Sequence, residues 1–394
     1  MRAGLNLEGL AERFAVHLFV APVAGDCGDP PESVRALTAR IGVLPLKDCL
    51  DTHFALISRI LDPEARLRAE LAYPRPQLGR FCTPQAALRL REWFGATRFS
   101  AVHIMRLYLA PLMDTLLNWS NEPRPWSVLD LDDDEVRTRQ RLARVAAENG
   151  DSAVAARETA EAEKYRGFQA RYFPQFDRIM VCAGSDADRL SAEFPTTRFM
   201  IVPNGYRSPD ITPALASADN GALRLIFVAT LGYYANADAA IYLCREVLPA
   251  LRRITGRRIQ IDLVGSGAPD SVRTLGLEAE LRIHDFVEDL RPLYAAADVA
   301  VVPLRAGGGT RIKILEAFAY GVPVVSTTLG AEGIEAVADQ HLLLADTAEG
   351  FAQACLKIKE QSAFAQKLVC GAAALLAAKY SPAKIQEQVA AAYG

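Results

Sequence analysis

The chain has 394 residues, 51% hydrophobic and 23% charged, with a formal net charge of −3. This composition gives two domains of ordinary size ample core, and it excludes a disordered chain. The slightly acidic balance, with a pI near 6.0, argues against nucleic acid as a partner, because phosphate backbones select basic faces.

The chain opens on a helix-like apolar pattern (Leu5, Leu7, Leu10, Phe14), and only then gives a strand, Val16–Val20. Further strand candidates are Gly42–Leu46, Ala101–Met105, Ser127–Leu131, Arg178–Cys182 and Phe199–Val202. Helices are expected at Glu32–Arg40, Pro84–Phe94 and Ala110–Asn118. The Ala-rich stretch Val136–Tyr172 reads as one or two helices with a break near Asn149–Gly150. "VPNGYRSPDITP" (Val202–Pro213) gathers three prolines and a glycine, and marks the domain boundary. The first domain is therefore expected over 1–203.

The second half, 204–380, repeats strand and helix more cleanly. "LRLIFVATL", "RIQIDLVGSG", "LRIHDFV", "VAVVPL" and "PVVST" are apolar, β-branched strands. Helices are expected at Ala237–Thr255, Pro269–Leu275, Leu290–Ala297 and Arg311–Tyr320. This is the pattern of a doubly wound parallel sheet, whose ligands bind beyond the carboxyl ends of the strands. The loops to inspect are then 231–236, 265–269, 286–289, 304–310 and 327–333. A short amphipathic helix, 381–394, closes the chain and is expected to cross back to the first domain. No apolar run approaches the ~18 residues of a bilayer span, and no signal peptide is visible. Seven scattered cysteines without C-x-x-C spacing read as reduced, mostly buried thiols. A cytoplasmic protein with at most peripheral membrane contact is expected.

"AGGGTRIKILEAFAYGVPVVST" (Ala306–Thr327) carries the most chemistry. Gly307, Gly308, Gly309 and Thr310 follow a strand and open a helix, where backbone N–H groups and the helix N-terminus favour an anion. Arg311 and Lys313 put full positive charge in the first turn, where the helix dipole disfavours cations. A polyanion nearby accounts for that placement; a tight turn with surface charges is the plainer alternative. Glu316 is one turn beyond Lys313 and is placed to reach paired hydroxyls of such a ligand. The Walker A spacing and G-x-G-x-x-G are both absent.

Together with "VPNGY", "FVATLGYYANADAAIYLCREVLP", "LVGSG" and "HDFVEDLRPLYAAADVAVVPL", this stretch resembles the donor domain of GT-B glycosyltransferases of family 4, the group 1 transferases. The resemblance covers roughly Val202–Glu335. It implies an α/β, GT-B fold of two Rossmann-like doubly wound domains, an acceptor domain and a donor domain, facing a cleft. It implies transfer of a sugar from a nucleotide-diphosphate sugar to an acceptor hydroxyl, with retention and without metal or other cofactor. Glu316 matches the glutamate that holds the nucleotide ribose. The family's other glutamate, eight residues earlier, is Gly308 here, so sugar contact falls to the backbone of Gly309–Arg311. Phe286 and Val287 match the loop against the nucleobase, and Gly265 and Gly267 the turn after the domain's second strand. "TLGYYANADA", which contains Gly232, replaces the usual Arg and Lys that grip the diphosphate. Arg311 and Lys313 are the candidates to supply that charge. Glu332 in "GAEGIE" faces the cleft or is an ordinary loop carboxylate.

In the first half the resemblance rests on "RFAVHLFV", "VLPL", "SAVHIMRLYLAP" and "VLDLDDDE". His103 matches the first of two family histidines and Met105 stands at the second; a packed core histidine is the alternative for His103. Arg106 faces the cleft or is a surface charge. Asp130, Asp132, Asp133, Asp134 and Glu135 follow a strand. Asp132 and Asp133 are read as acceptor-binding, with a metal-binding D-x-D pair or the acidic first turn of the next helix as alternatives. The resemblance also implies a first strand and glycine loop before Val16. None is visible there, so the first domain is expected without its first strand, either because the true start lies upstream of Met1 or because another segment replaces it. Two other functions stay open: a non-catalytic sugar-nucleotide binder, and a GT-B-fold epimerase.

Overall fold

The computed structural model describes residues 2–23, 28–49, 51–95, 97–117, 124–209, 221–277, 280–309 and 311–394. Thr310 and the connector residues 210–213 fall outside the described residues. The chain divides into two compact units, Met1–Pro203 with Ile385–Gly394, and Asn204–Lys384.

In the first unit β1 (His17–Val20) pairs in parallel with β2 (Arg40–Val43). A separate parallel sheet holds β3 (Ala101–Met105), β4 (Trp126–Asp130), β5 (Arg178–Val181) and β6 (Phe199–Ile201), in that order. Among the described residues no strand joins β2 or β1 to β3, so this unit carries two sheets where alternation along the sequence predicts one. Successive residues of a strand point to opposite faces. Val128 and Met180 therefore pack with the helix Arg2–Ala11 and the closing helix, through Leu5, Leu10, Ile385 and Val389. Their neighbours Leu129 and Ile179 face the other way, onto Tyr165 and Phe173. The stretch read as one or two helices is two, Glu135–Glu148 and Ser152–Tyr172. Gly150 adopts φ +78° between them, and Asp151 caps the second by accepting from Val154 N–H at 3.3 Å. The closing helix, Pro382–Ala391, begins in the second unit and ends in the first.

The second unit holds β7 (Ala222–Val228), β8 (Arg258–Val264), β9 (Leu281–His284), β10 (Val299–Val302), β11 (Val324–Ser326) and β12 (Leu343–Leu344). All pairs are parallel, in the order β12-β11-β10-β7-β8-β9. The chain winds outward from β7 through β8 to β9, then returns to β10 on the other side of β7 and winds outward again. The order therefore reverses between β7 and β10, and open α/β sheets bind ligands beyond the carboxyl ends of the strands at such a point. The long helix after β7 starts at Tyr234, and a π turn over Leu243–Val247 precedes Pro249. Pro249 lacks an N–H, and the wider turn accommodates the missing bond. The short edge strand β12 and the helices Ala348–Glu360 and Ser362–Leu375 add to the elements predicted above. Among the described residues no helix is long and apolar enough to cross a membrane. The six described cysteines are free, and all but Cys370 are buried.

Candidate functional site

The loops flanking the reversal point are locked by backbone. Gly232 N–H, after β7, donates to Ser266 O at 3.2 Å. Gly265 and Gly267, after β8, have φ of +145° and +76°, a region that L side chains rarely adopt. A Cβ on Gly232 would stand 3.0 Å from Gly267 O. These three glycines thus allow two loops to touch main chain to main chain.

After β10, Gly307 and Gly309 take φ of +115° and +66°. The Arg311 guanidinium folds back under this turn, donating to Gly308 O at 2.5 Å and Leu329 O at 3.4 Å. Arg311 is 6% exposed, and a Cβ on Gly307 would meet its Nη1 at 2.9 Å. The expected charge is present, but its contacts bind the glycine loop to the loop after β11. That second loop is tied down as well: Thr327 Oγ1 donates to Leu304 O at 2.6 Å and accepts from Gly330 N–H at 2.8 Å. Glu332 lies half-buried in the same loop.

Lys313 is on the first turn of the helix Ile312–Ala319. Its Nζ donates to Asn236 Oδ1 at 3.3 Å, and Asn236 Nδ2 in turn donates to Thr230 O at 2.9 Å. Asn236 belongs to the helix after β7, so this one bond spans the reversal point. The acceptor is neutral, and among the described residues no carboxylate forms an ion pair with Lys313. Burial, with the Arg311 charge beside it, pushes the Lys313 ammonium down to about 7.

One turn on, Glu316 is half-buried and accepts from Tyr206 OH at 2.9 Å and Tyr294 OH at 2.7 Å. Phe286 is 81% exposed in the loop after β9, and Val287 packs against the core. Their loop leads into the helix Arg291–Ala296 that carries Tyr294.

The remaining candidates lie in the first unit. His103 is part-buried within the first unit: Nδ1 is 2.6 Å from Tyr393 OH, and Nε2 is 3.9 Å from Asp130 Oδ2. Burial holds its pKa below the ordinary value. This environment fits the packed-histidine alternative. Asp130 is fully buried and receives Arg2 Nε at 2.8 Å and Asn6 Nδ2 at 2.6 Å. Burial alone would raise its pKa, but Arg2 overrides this and holds it below the usual carboxylate range. An Asp130 so committed does not fit the metal-binding D-x-D alternative. Asp133 accepts from Thr138 Oγ1 at 2.9 Å, a contact within the first turn of the next helix. Arg106 and Asp132 form an ion pair at the ends of the adjacent strands β3 and β4. Both have positive φ, +80° and +55°; an aspartate adopts this region readily, so the strain falls on Arg106.

Residues 222–361 match the family model described as "Glycosyl transferases group 1". This segment is a group 1 glycosyltransferase domain. The whole chain has the GT-B fold of solved glycosyltransferases. Sucrose-phosphate synthase from Thermosynechococcus elongatus superposes with a TM-score of 0.67 at 15% identity, over 98% of this chain and 89% of that one. Anabaena HepE, solved in complex with UDP, gives 0.59 at 13% identity, over 99% and 95%. WaaG, a glycosyltransferase involved in lipopolysaccharide biosynthesis, gives 0.58 at 14% identity, over 98% and 94%. No curated protein matches the chain by sequence.

Sequence reasoning missed Asn236, Tyr206, Tyr294 and Arg2. Asn236 and Tyr206 sit inside stretches that were singled out, "TLGYYANADA" and "VPNGY". Arg2 carries no signal in the sequence; it is identified by the buried Asp130 it neutralises.

Proposed function

We propose that this chain is a retaining, metal-independent glycosyltransferase of family 4, which moves a sugar from a nucleoside diphosphate sugar to an acceptor hydroxyl. The observation that carries the reading is the Lys313–Asn236 bond across the reversal point, one turn before Glu316 and directly after the glycine loop. An ammonium with only a neutral partner, at the carboxyl end of a parallel sheet, is suited to a diphosphate. Glu316 takes the ribose hydroxyls. Phe286 and Val287 lie along the base, and the backbone after Gly308 faces the sugar.

In the reaction the bond between the anomeric carbon and the diphosphate oxygen breaks while the acceptor oxygen bonds to that carbon on the same face. The acceptor proton passes to the leaving phosphate, so no protein base is needed. Lys313 and the helix N-terminus stabilise the charge that builds on the diphosphate, while Arg311 shapes the loop and adds to the field. Arg106 and Asp132 are assigned to the acceptor, with Asp133 beside them. Polysaccharide, glycolipid and natural-product acceptors suit this chemistry, and a cytoplasmic setting suits the donor. The group 1 match supports sugar transfer, and the UDP bound to the Anabaena neighbour makes UDP-sugars the first donors to test.

Gly308, which presents no side chain to the sugar, favours a second reading, a sugar-nucleotide binder without turnover. Release of UDP, GDP, ADP or dTDP from the corresponding sugar nucleotides separates the two. Donor hydrolysis or transfer that Lys313→Met abolishes supports the transferase. Binding of a sugar nucleotide without any release, over long incubation with varied acceptors, supports the binder.

A further inference from the structure

The Glu316 carboxylate is held from two sides. Tyr206 OH donates to Oε2 and Tyr294 OH to Oε1, at 2.9 and 2.7 Å. Each oxygen takes one phenol and keeps capacity for one further donor. The two tyrosines come from separate segments and are themselves fixed. Tyr206 lies just after the connector enters the second unit, and its N–H donates to Tyr380 O at 2.9 Å. Tyr294 is 2% exposed, and its ring stacks on Tyr320 with centroids 4.4 Å apart and planes 10° apart. Burial, and after it the Glu316 charge, push both phenols above their ordinary range, so both remain donors at neutral pH.

A buried phenol needs an acceptor, and that alone would explain one such bond. It does not explain two rigid phenols converging on opposite oxygens of one half-buried carboxylate. Their joint effect is to remove the rotamer freedom that a glutamate would otherwise lose on binding a ligand. They also leave the second lone pair of each oxygen pointing in a fixed direction, as a vicinal diol requires.

We propose that Tyr206 and Tyr294 are positioning residues that orient Glu316 to read the two hydroxyls of a ribose. Recognition of ribonucleotides over deoxyribonucleotides is then a property of the three residues together. This inference rests on the ribose assignment of Glu316 made above.

The test is a ratio of dissociation constants, measured by calorimetry. The probes are whichever of UDP, GDP and ADP the wild-type chain binds, and its 2′,3′-dideoxy counterpart. The proteins are wild type, Tyr206→Phe, Tyr294→Phe and Glu316→Gln. Wild type should prefer the ribose form by roughly tenfold or more, the size of hydrogen bonds to a charged group. Each Tyr→Phe should weaken the ribose form by about three- to tenfold and leave the dideoxy form unchanged. If both Phe variants keep the wild-type ratio while Glu316→Gln loses it, the positioning role is wrong and the ribose assignment stands. If the Phe variants lose both ligands equally, the tyrosines are only structural and the proposal falls. If Glu316→Gln also keeps the ratio, the ribose assignment itself is wrong.

Discussion

Lys313 Nζ lies 3.3 Å from Asn236 Oδ1, so an ammonium and a neutral amide join the helix after β10 to the helix after β7. A half-buried ammonium without a carboxylate costs stability when charged unless a ligand uses it. Lys313→Met should therefore melt at or above wild type without nucleotide. The same variant should bind a nucleoside diphosphate about 10- to 150-fold more weakly, the range for loss of a charged hydrogen bond, and bind the parent nucleoside unchanged. A variant that melts lower and binds the diphosphate normally would show that Lys313 is only structural.

The pH dependence follows with a definite sign. The Lys313 pKa is about 7 in the folded chain and about 10.4 when unfolded. Between these values the unfolded state binds one more proton than the native state at this site, so stability gains from Lys313 as pH rises from 7 toward 10. A bound diphosphate favours the ammonium. Binding at pH 8–9 should therefore take up about one proton, seen by calorimetry in buffers of different ionisation enthalpy. Lys313→Met should abolish the uptake; an unchanged uptake would place the titrating group elsewhere.

Glycine at 330 is a packing requirement. A Cβ there would stand 2.5 Å from Ser326 Oγ, 2.6 Å from Val302 O and 2.8 Å from Thr327 Oγ1. Gly330→Ala should cost about 1–3 kcal/mol, a fall in Tm of several degrees for a unit of this size. Thermal unfolding checks it, and an unaltered Tm would mean that the loop after β11 moves freely.

Arg2 and Asp130 form a buried pair in the first unit. Arg2→Met strands a buried carboxylate and should cost about 3–5 kcal/mol. Adding Asp130→Asn should recover part of that, so the double variant should fall well short of the sum. The folded Asp130 pKa is depressed. Its contribution is thus present above the unfolded value of about 3.9 and lost as pH falls through the folded value. Acid unfolding should therefore begin at higher pH in Arg2→Met, and additive losses in the cycle would contradict the pairing.

Much of the second unit was legible because its strands are short apolar runs ending in glycines, and period and punctuation suffice for such segments. β12 was not legible, since two residues give no period. Gly307–Gly309, Lys313 and Glu316 were legible as a cluster, but their partners were not. Asn236 and Tyr294 are 77 and 22 residues from the side chains they touch, and only the sheet order brings them close. Arg311 is legible as a charge for the diphosphate, but sequence spacing does not show its guanidinium folding back onto Gly308 O. His103 lies on the strand expected for it, but Tyr393 and Asp130, which pack beside it, come from distant segments.

Thermal melting of the wild-type chain against UDP, GDP, ADP and dTDP tests the diphosphate site between β7 and β10. A ligand at ~100 times its dissociation constant adds about 2.7 kcal/mol. A selective rise in Tm is expected with one ribonucleoside diphosphate, unaffected by EDTA and absent in Lys313→Met. A well-folded chain whose Tm moves with none of the four would contradict a diphosphate site between β7 and β10.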